Sequence, residues 1–257
     1  MTFWTLTLHR PLSSLLVAHR GDPSRYPENS LPGFRSALES GAHFVETDIQ
    51  LTADRIAVLS HDVSLTRMSG ENLLIPETLY SRLQSASTHE PRRFGERFAG
   101  LPIASLDEFI LLLRDWPQAH AFIEIKEQSY ARFGEQMIRQ VVEQLEPIID
   151  QCTLISYVSE VCETASEMGK LTHGWIVPAW TDELRQTASR LQPDYLFINA
   201  KRLLPAGQPL WPGNWRWVSY SHNRLDEIRR MERRGFDLVE TNNIATLLQA
   251  EQTKAPT

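Results

Sequence analysis

Three short segments of this chain close an apolar run with residues that can do chemistry: Val17-Ala18-His19-Arg20-Gly21, Glu46-Thr47-Asp48 and Ser60-His61-Asp62. A fourth, Glu124-Ile125-Lys126, sets a carboxylate and an ammonium two positions apart. Residues i and i+2 of an extended strand project to one face, so Glu46 and Asp48 point together, as do Glu124 and Lys126. Three carboxylates at neighbouring strand ends offer hard oxygen ligands, a set that suits one divalent cation, Mg2+ or Ca2+, better than zinc. The plainer alternative is a group of strand-end carboxylates paired with Arg or Lys. Hydrolysis of a phosphodiester accumulates negative charge on the phosphoryl oxygens, so a protein that performs it needs cations, a base and an acid. A bound cation with Arg20 and Lys126 meets the first need, arginine being suited to gripping two oxygens at once. Lys126 can alternatively do no more than neutralise Glu124. His19 and His61 meet the other two needs, because an imidazole with an ordinary pKa of ~6.5 exchanges protons near neutral pH. The residue types leave open which is base and which is acid. A structural role is the default for His9, His43, His89, His120 and His173. Asn29, in Pro27-Glu28-Asn29-Ser30, can shape a phosphate pocket; equally, Asn29 or Ser30 can cap a helix starting near Leu31, with Pro32 in its first turn. Asp62 can orient the neighbouring His61 or support the adjacent turn.

These residues need a frame that brings strand ends together. Eight β-branched or aromatic runs alternate with helical patterns: Leu15 to Ala18, Phe44 to Ile49, Ala121 to Ile125, Thr153 to Tyr157, Gly174 to Val177, Tyr195 to Asn199, Trp217 to Ser221 and Leu238 to Thr241. That alternation predicts βα units closed into an α/β (β/α)8 TIM barrel, which gathers reactive groups at the C-terminal ends of its strands. Helical spacing is plain in Phe109, Leu112 and Leu113, and in Ile138, Val141, Val142 and Leu145. Pro205, Gly207, Pro209, Pro212 and Gly213 make the stretch from Leu203 to Asn214 mostly loop, so fewer than eight crossover helices are expected. About seventy residues separate the second and third runs, more than a βα connection needs. Within them Ile56 to Ser60 reads as a return strand carrying His61, and residues 63–102 as a small insertion after the second strand of a single domain spanning 1–257.

Composition narrows the function classes. The chain has 257 residues, 42% hydrophobic and 23% charged, with 26 Lys and Arg against 32 Asp and Glu, a net charge of −6. The basic residues are dispersed, and the cluster Arg229-Arg230 with Arg233-Arg234 is interleaved with Glu227 and Glu232 as on a solvated helix face. A nucleic-acid partner would want a coherent basic surface. Cys152 and Cys162 lack metal-type spacing and read as free buried thiols. Met1 to Leu8 lacks the features of a signal peptide, and no apolar run reaches the ~20 residues of a membrane helix, so a cytoplasmic protein with a small-molecule substrate is expected.

The five segments together resemble the glycerophosphodiester phosphodiesterase family, whose hallmarks are HRG, PENT, ExD, HD and ExK in this order, PENT being matched here by Pro27-Glu28-Asn29-Ser30, with the likeness running from about residue 16 to about 245. The resemblance implies a divalent-metal enzyme that converts glycerophosphodiesters, such as glycerophosphocholine or glycerophosphoethanolamine, to glycerol 3-phosphate and an alcohol. It also implies that the HRG histidine takes a proton from the nucleophile, for instance the glycerol 2-hydroxyl in a cyclic-phosphate route, while the HD histidine protonates the leaving alcohol. A lysophospholipase D-type activity on larger lysolipids and a non-catalytic phosphodiester-binding module are the alternatives. Three departures stand out. Asp54-Arg55 replaces the usual Asp-Gly, and Tyr220-Ser221-His222-Asn223 replaces WTVN, making Tyr220 the candidate aromatic wall for the glycerol end. Thr241-Asn242 replaces Thr-Asp, removing a negative charge at the barrel mouth.

Overall fold

The C-terminal ends of eight parallel strands meet around one mouth in the computed structural model, which describes residues 9–253. The segment Met1 to Leu8, where no leader was expected, lies outside the described residues. The strands are β1 (Leu16–His19), β2 (Phe44–Leu51), the short β3 (Ala57–Leu59), β4 (His120–Ile125), β5 (Cys152–Ser156), β6 (Thr172–Ile176), β7 (Tyr195–Ile198), β8 (Arg216–Ser219) and β9 (Leu238–Thr241). β1 pairs with β2 on one side and with β9 on the other, which closes the barrel through the order β1-β9-β8-β7-β6-β5-β4-β2. β3 stands outside the ring, antiparallel to β2, as the return strand that ends next to His61.

Helix α1 (Leu31–Glu39) joins β1 to β2, and α2 (Thr66–Ser69), α3 (Tyr80–Gln84), α4 (Pro91–Phe94) and α5 (Leu106–Arg114) lie between β3 and β4. They are followed by α6 (Glu127–Phe133), α7 (Glu135–Gln144), α8 (Ser159–Met168), α9 (Asp182–Leu191), α10 (Leu225–Arg233) and α11 (Ile244–Gln252). Local signals fix several starts. Ser105 caps α5 in a capping box with Glu108, and Ser30, not Asn29, caps α1 by accepting from the Gly33 N–H; such caps are worth about 1 kcal/mol. Among the described residues no helix bridges β7 and β8, where the Pro and Gly run deprives the backbone of donors and of helical φ values. Residues 63–102 hold three short helices, and Leu65, Ile75, Leu83 and Ile103 form a small separate cluster there with Val58.

Two-residue alternation sorts each strand. Leu16, Ala18, Val45, Ile123, Leu154 and Leu196 turn outward into the layer shared with the helices. Val17, Phe122, Ile155, Ile176, Tyr195, Phe197, Val218 and Leu238 turn inward and fill the lumen. Phe122 is the hub, its ring centroid 5.0 Å from Tyr195 and 5.1 Å from Phe197 in edge-on contact. One layer higher, the same inward positions carry His19, Glu46, Asp48, Glu124, Tyr220 and Glu240.

The segment boundaries differ slightly from expectation: β1 sits one residue later than its apolar run suggests, so His19 itself ends it, and β8 begins one residue earlier and ends two earlier. The Asp54-Arg55 departure has a structural answer. Arg55 holds the left-handed φ of +63° that glycine would take more cheaply. Its guanidinium donates to Gln136 at 3.0 Å and its carbonyl accepts from Gln140 at 2.7 Å, pinning the turn to α7. Both thiols are free and buried, and burial pushes each up to about 12.

Candidate active site

The HRG segment is a sharp exit from β1. Arg20 has φ +55° and Gly21 φ +87°. A Cβ at Gly21 would lie 2.9 Å from backbone atoms of Gly33 and Phe34, so only glycine lets α1 approach. A non-glycine residue in the left-handed region costs on the order of 1–3 kcal/mol, and such strain gathers at functional sites. Here it turns the Arg20 side chain back over the mouth, with Nε 3.0 Å from Asp48 Oδ2 and Nη1 donating to Glu28 at 3.1 Å.

β2 and β4 place Asp48 opposite Glu124, and carboxylate oxygens of Glu46, Asp48 and Glu124 lie within 4.8 Å of one another. Lys126 Nζ donates to Glu124 at 2.7 Å and sits 3.2 Å from Asp48 Oδ1. That second approach is off the hydrogen-bonding direction, because Asp48 Oδ1 is buried without a partner, as is Arg20 Nε. Burial opposes the charge on Asp48, yet Arg20 and Lys126 outweigh it and hold the carboxyl well below its ordinary value. Glu46 moves the other way: burial, then the charges of Asp48 and Glu240, push it well up. Burial also raises Glu124, against the pull of Lys126. Two fixed cations, Arg20 and Lys126, face four buried carboxyl groups, Glu46, Asp48, Glu124 and Glu240. A hard divalent cation fits the deficit, since the donor set is all carboxylate oxygen and one buried oxygen of Asp48 lacks a donor.

The two histidines have different surroundings. The Asn242 side-chain oxygen lies 2.8 Å from His19 Nδ1 and can only accept, which places the proton on Nδ1 and leaves the Nε2 lone pair facing the cavity. Burial, then the charge of Arg20, lowers the His19 pKa to about 4, so its imidazole is neutral at pH 7. His61 Nδ1 instead meets a carboxylate, Asp62 Oδ1, at 2.8 Å. Asp62 is in turn held by Arg67 Nε at 2.7 Å, and the His61 bond together with Arg67 depresses its pKa. Arg67 also grips both oxygens of Glu28, at 2.7 and 3.0 Å, and Glu28 reaches Arg20. The His61 side chain is 38% exposed against 16% for His19, so the first is the more open to water.

A cavity of about 130 Å³ is lined by His19, Arg20, Glu46, Lys126, Tyr220 and Glu240, among others. A wider cleft of about 750 Å³ runs outward past His61, Ser64, Arg67, Arg92 and Gln128. The two share His61, Glu124, Lys126 and Tyr157. The nine residues singled out from sequence therefore gather at one mouth, but one of them, Asn29, is turned differently from expectation. Asn29 is buried away from that cavity, its amide donating to Asp48 Oδ2 at 2.9 Å and its carbonyl accepting from Thr47 at 2.9 Å, so it braces a carboxylate. Tyr220 lines the cavity with its hydroxyl bonded to that of Tyr157. His222 is fully buried, its Nε2 2.6 Å from Ser219 Oγ. Sequence reasoning missed Glu28, Tyr157, Asn242 as the partner of His19, and Glu240. The signal for Glu240 was present: it shares the inward face of β9 with Leu238.

The model of the glycerophosphoryl diester phosphodiesterase family matches residues 19–246. A glycerophosphodiester phosphodiesterase of Caldanaerobacter subterraneus subsp. tengcongensis is 28% identical over 247 residues, 92% of this chain and 97% of its own length. One from Bacillus altitudinis is 32% identical over 143 residues, 55% of this chain and 56% of its own. The barrel is also that of a solved Oleispira antarctica phosphodiesterase in complex with the product sn-glycerol-3-phosphate, with a TM-score of 0.78 at 20% identity, covering 93% of this chain and 96% of that one. A Thermotoga maritima glycerophosphodiester phosphodiesterase superimposes with a TM-score of 0.69 at 19% identity over 94% of this chain and 99% of that one. With the motif residues gathered at one mouth of a barrel of this kind, the chain belongs to the glycerophosphoryl diester phosphodiesterase family and is an enzyme of that reaction class.

Proposed function

We propose that the protein hydrolyses glycerophosphodiesters with polar head groups, such as glycerophosphocholine and glycerophosphoethanolamine, to glycerol 3-phosphate and an alcohol. The observation that carries this reading is the pair of histidines with opposite surroundings that line one cavity with Glu46 and Glu124. Glu46, Asp48 and Glu124 would hold one Mg2+ or Ca2+, which when bound supplies Lewis-acid stabilisation to charge on the phosphoryl oxygens. Arg20 and Lys126 bind the phosphate. His19 Nε2 takes the proton of the attacking hydroxyl, either the glycerol 2-hydroxyl or water. As the new O–P bond forms and the bond to the head group breaks, the electron pair stays on the leaving oxygen and His61 supplies its proton. Asp62 suits His61 to that task, since a carboxylate at Nδ1 stabilises the imidazolium. In the 2-hydroxyl route, water then opens the cyclic phosphate with the two histidines exchanging roles.

Side chains of Asp62, Ser64, Thr66, Arg67, Arg92 and Glu127 line the outer cleft, and their charges and hydroxyls support a polar leaving group. Residues 63–102 supply much of that wall, and we read them as an insertion built onto one barrel domain. Two free buried thiols accord with the reducing cytoplasm as the place of work. No helix among the described residues is long and apolar enough to cross a membrane.

The test is release of glycerol 3-phosphate from a panel of glycerophosphodiesters and lysolipids with Mg2+, Ca2+ or EDTA. Polar glycerophosphodiesters should turn over, and EDTA should abolish it. Preference for lysolipids would transfer the assignment to the lysophospholipase D reading, and binding without turnover under every metal would leave a binding module. His19→Ala and His61→Ala should each lower kcat by ~10²- to 10⁴-fold. A p-nitrophenol leaving group needs little protonation and should rescue His61→Ala but not His19→Ala; the reverse would exchange their roles. Glu46→Gln removes one charged ligand, and undiminished metal affinity by calorimetry would remove Glu46 from the metal set.

A further inference from the structure

Glu240 has no role in the chemistry above, yet it is only 3% exposed and its side chain borders the 130 Å³ cavity. Its Oε2 lies 4.0 Å from His19 Nε2, beyond hydrogen-bond distance, and the carboxylate accepts no hydrogen bond from another side chain or backbone N–H among the described residues. The inward residues at its depth, Ile155, Ile176 and Phe197, have nothing to donate. A buried carboxyl without a partner is costly, and a cavity wall is where a ligand can supply the missing donor. The other polar groups of this cavity are already committed. Arg20 and Lys126 face the phosphate, Glu46 and Glu124 belong to the cation set, His19 and His61 move protons, and the Tyr157 and Tyr220 hydroxyls bond each other.

The small cavity, whose size is that of about four waters at ~30 Å³ each, suits a three-carbon polyol, whereas the wide cleft beside His61 takes the leaving alcohol. We propose that Glu240 is the specificity-determining residue for the glycerol half of the substrate, accepting a hydrogen bond from the terminal hydroxyl next to the one that faces His19. This inference rests on the phosphodiesterase reading and names what that site selects: a phosphodiester of a vicinal diol bearing one more primary hydroxyl. A diester of propane-1,2-diol keeps the 2-hydroxyl and the phosphate and loses only the group that Glu240 would hold.

Calorimetry on the Mg2+-loaded protein should compare glycerol 3-phosphate with 2-hydroxypropyl phosphate, for the wild type, Glu240→Gln and Glu240→Leu. The wild type should prefer glycerol 3-phosphate by on the order of 10-fold, the worth of one buried hydrogen bond. Glu240→Leu should erase the preference by weakening glycerol 3-phosphate alone, and Glu240→Gln, the closest match in size and the safeguard should the leucine variant not fold, should reduce it. The same ordering should appear in kcat/KM for the p-nitrophenyl diesters of the two diols. A preference that survives both substitutions overturns the proposal. So does equal weakening of both ligands with loss of Mg2+ affinity, which would make Glu240 a cation ligand instead. If the wild type turns over neither diester, the phosphodiesterase reading itself falls; if it turns over both equally, only the role of Glu240 does.

Discussion

Asn242 decides what kind of base the proposed role of His19 would make it. Its amide oxygen fixes the imidazole tautomer as a carboxylate would, but it brings no negative charge to stabilise an imidazolium. The neutral partner lets burial and Arg20 keep the ring unprotonated well into the acid range. Asn242→Asp should raise the His19 pKa, and since the protonated ring cannot take a proton, the acid limb of the kcat/KM profile should move to higher pH. An unchanged limb would mean that His19 is not the titrating base. At this scale the motif residues were legible because strand alternation and order specify them. Asn29 was not, because a left-handed residue with φ +53° can aim its amide at Asp48 as readily as into the cavity, and sequence carries no record of that choice. Glu240 was overlooked for another reason: a single Glu inside an apolar strand looks like a strand-end polar residue until the ring closes and turns it inward.

Between elements, Arg67 of α2 is the junction. One guanidinium holds Asp62, which orients His61, and Glu28, which steadies Arg20; it also reaches Glu90 at 3.2 Å. The segment between β3 and β4 thus positions both His61, the proposed acid, and Arg20, proposed to grip the phosphate, from outside the barrel. Arg67→Met should lower kcat by up to ~10²-fold, as expected when reacting groups shift by about an ångström, and the loss should shrink with a p-nitrophenol leaving group, which no longer depends on His61. A purely structural arginine would lower both substrates alike and show itself in Tm. The barrel strands and the helix-free β7 to β8 crossover were readable from apolar runs and from Pro and Gly. The three short helices α2, α3 and α4 were not resolved by periodicity, since each spans five residues or fewer and leaves no 3.6-residue pattern, whereas α5 was readable from Phe109, Leu112 and Leu113.

Across the whole molecule, stability rests on the closed ring and its filled lumen. Phe122→Ala should cost ~3–5 kcal/mol by opening a cavity where three aromatic rings meet. His222 adds a pH dependence: burial, then Lys201, depresses its pKa to about 4, against ~6.5 in an unfolded chain. Between those values the unfolded chain binds a proton that the native state refuses. The contribution is therefore complete above about pH 6.5 and is lost as pH falls toward 4, at most ~3 kcal/mol by linkage. Denaturant titrations across that range should show the slope, flattened in His222→Gln. The aromatic plug of the lumen also has a kinetic meaning. Because Phe122, Tyr195 and Phe197 fill the barrel below the mouth, substrate and products pass by the end at which the strands finish. With the leaving alcohol in the wide cleft beside His61, the inner compartment is expected to empty after that cleft has cleared. The head-group alcohol should leave first and glycerol 3-phosphate last, so glycerol 3-phosphate should inhibit competitively with the diester and the alcohol noncompetitively.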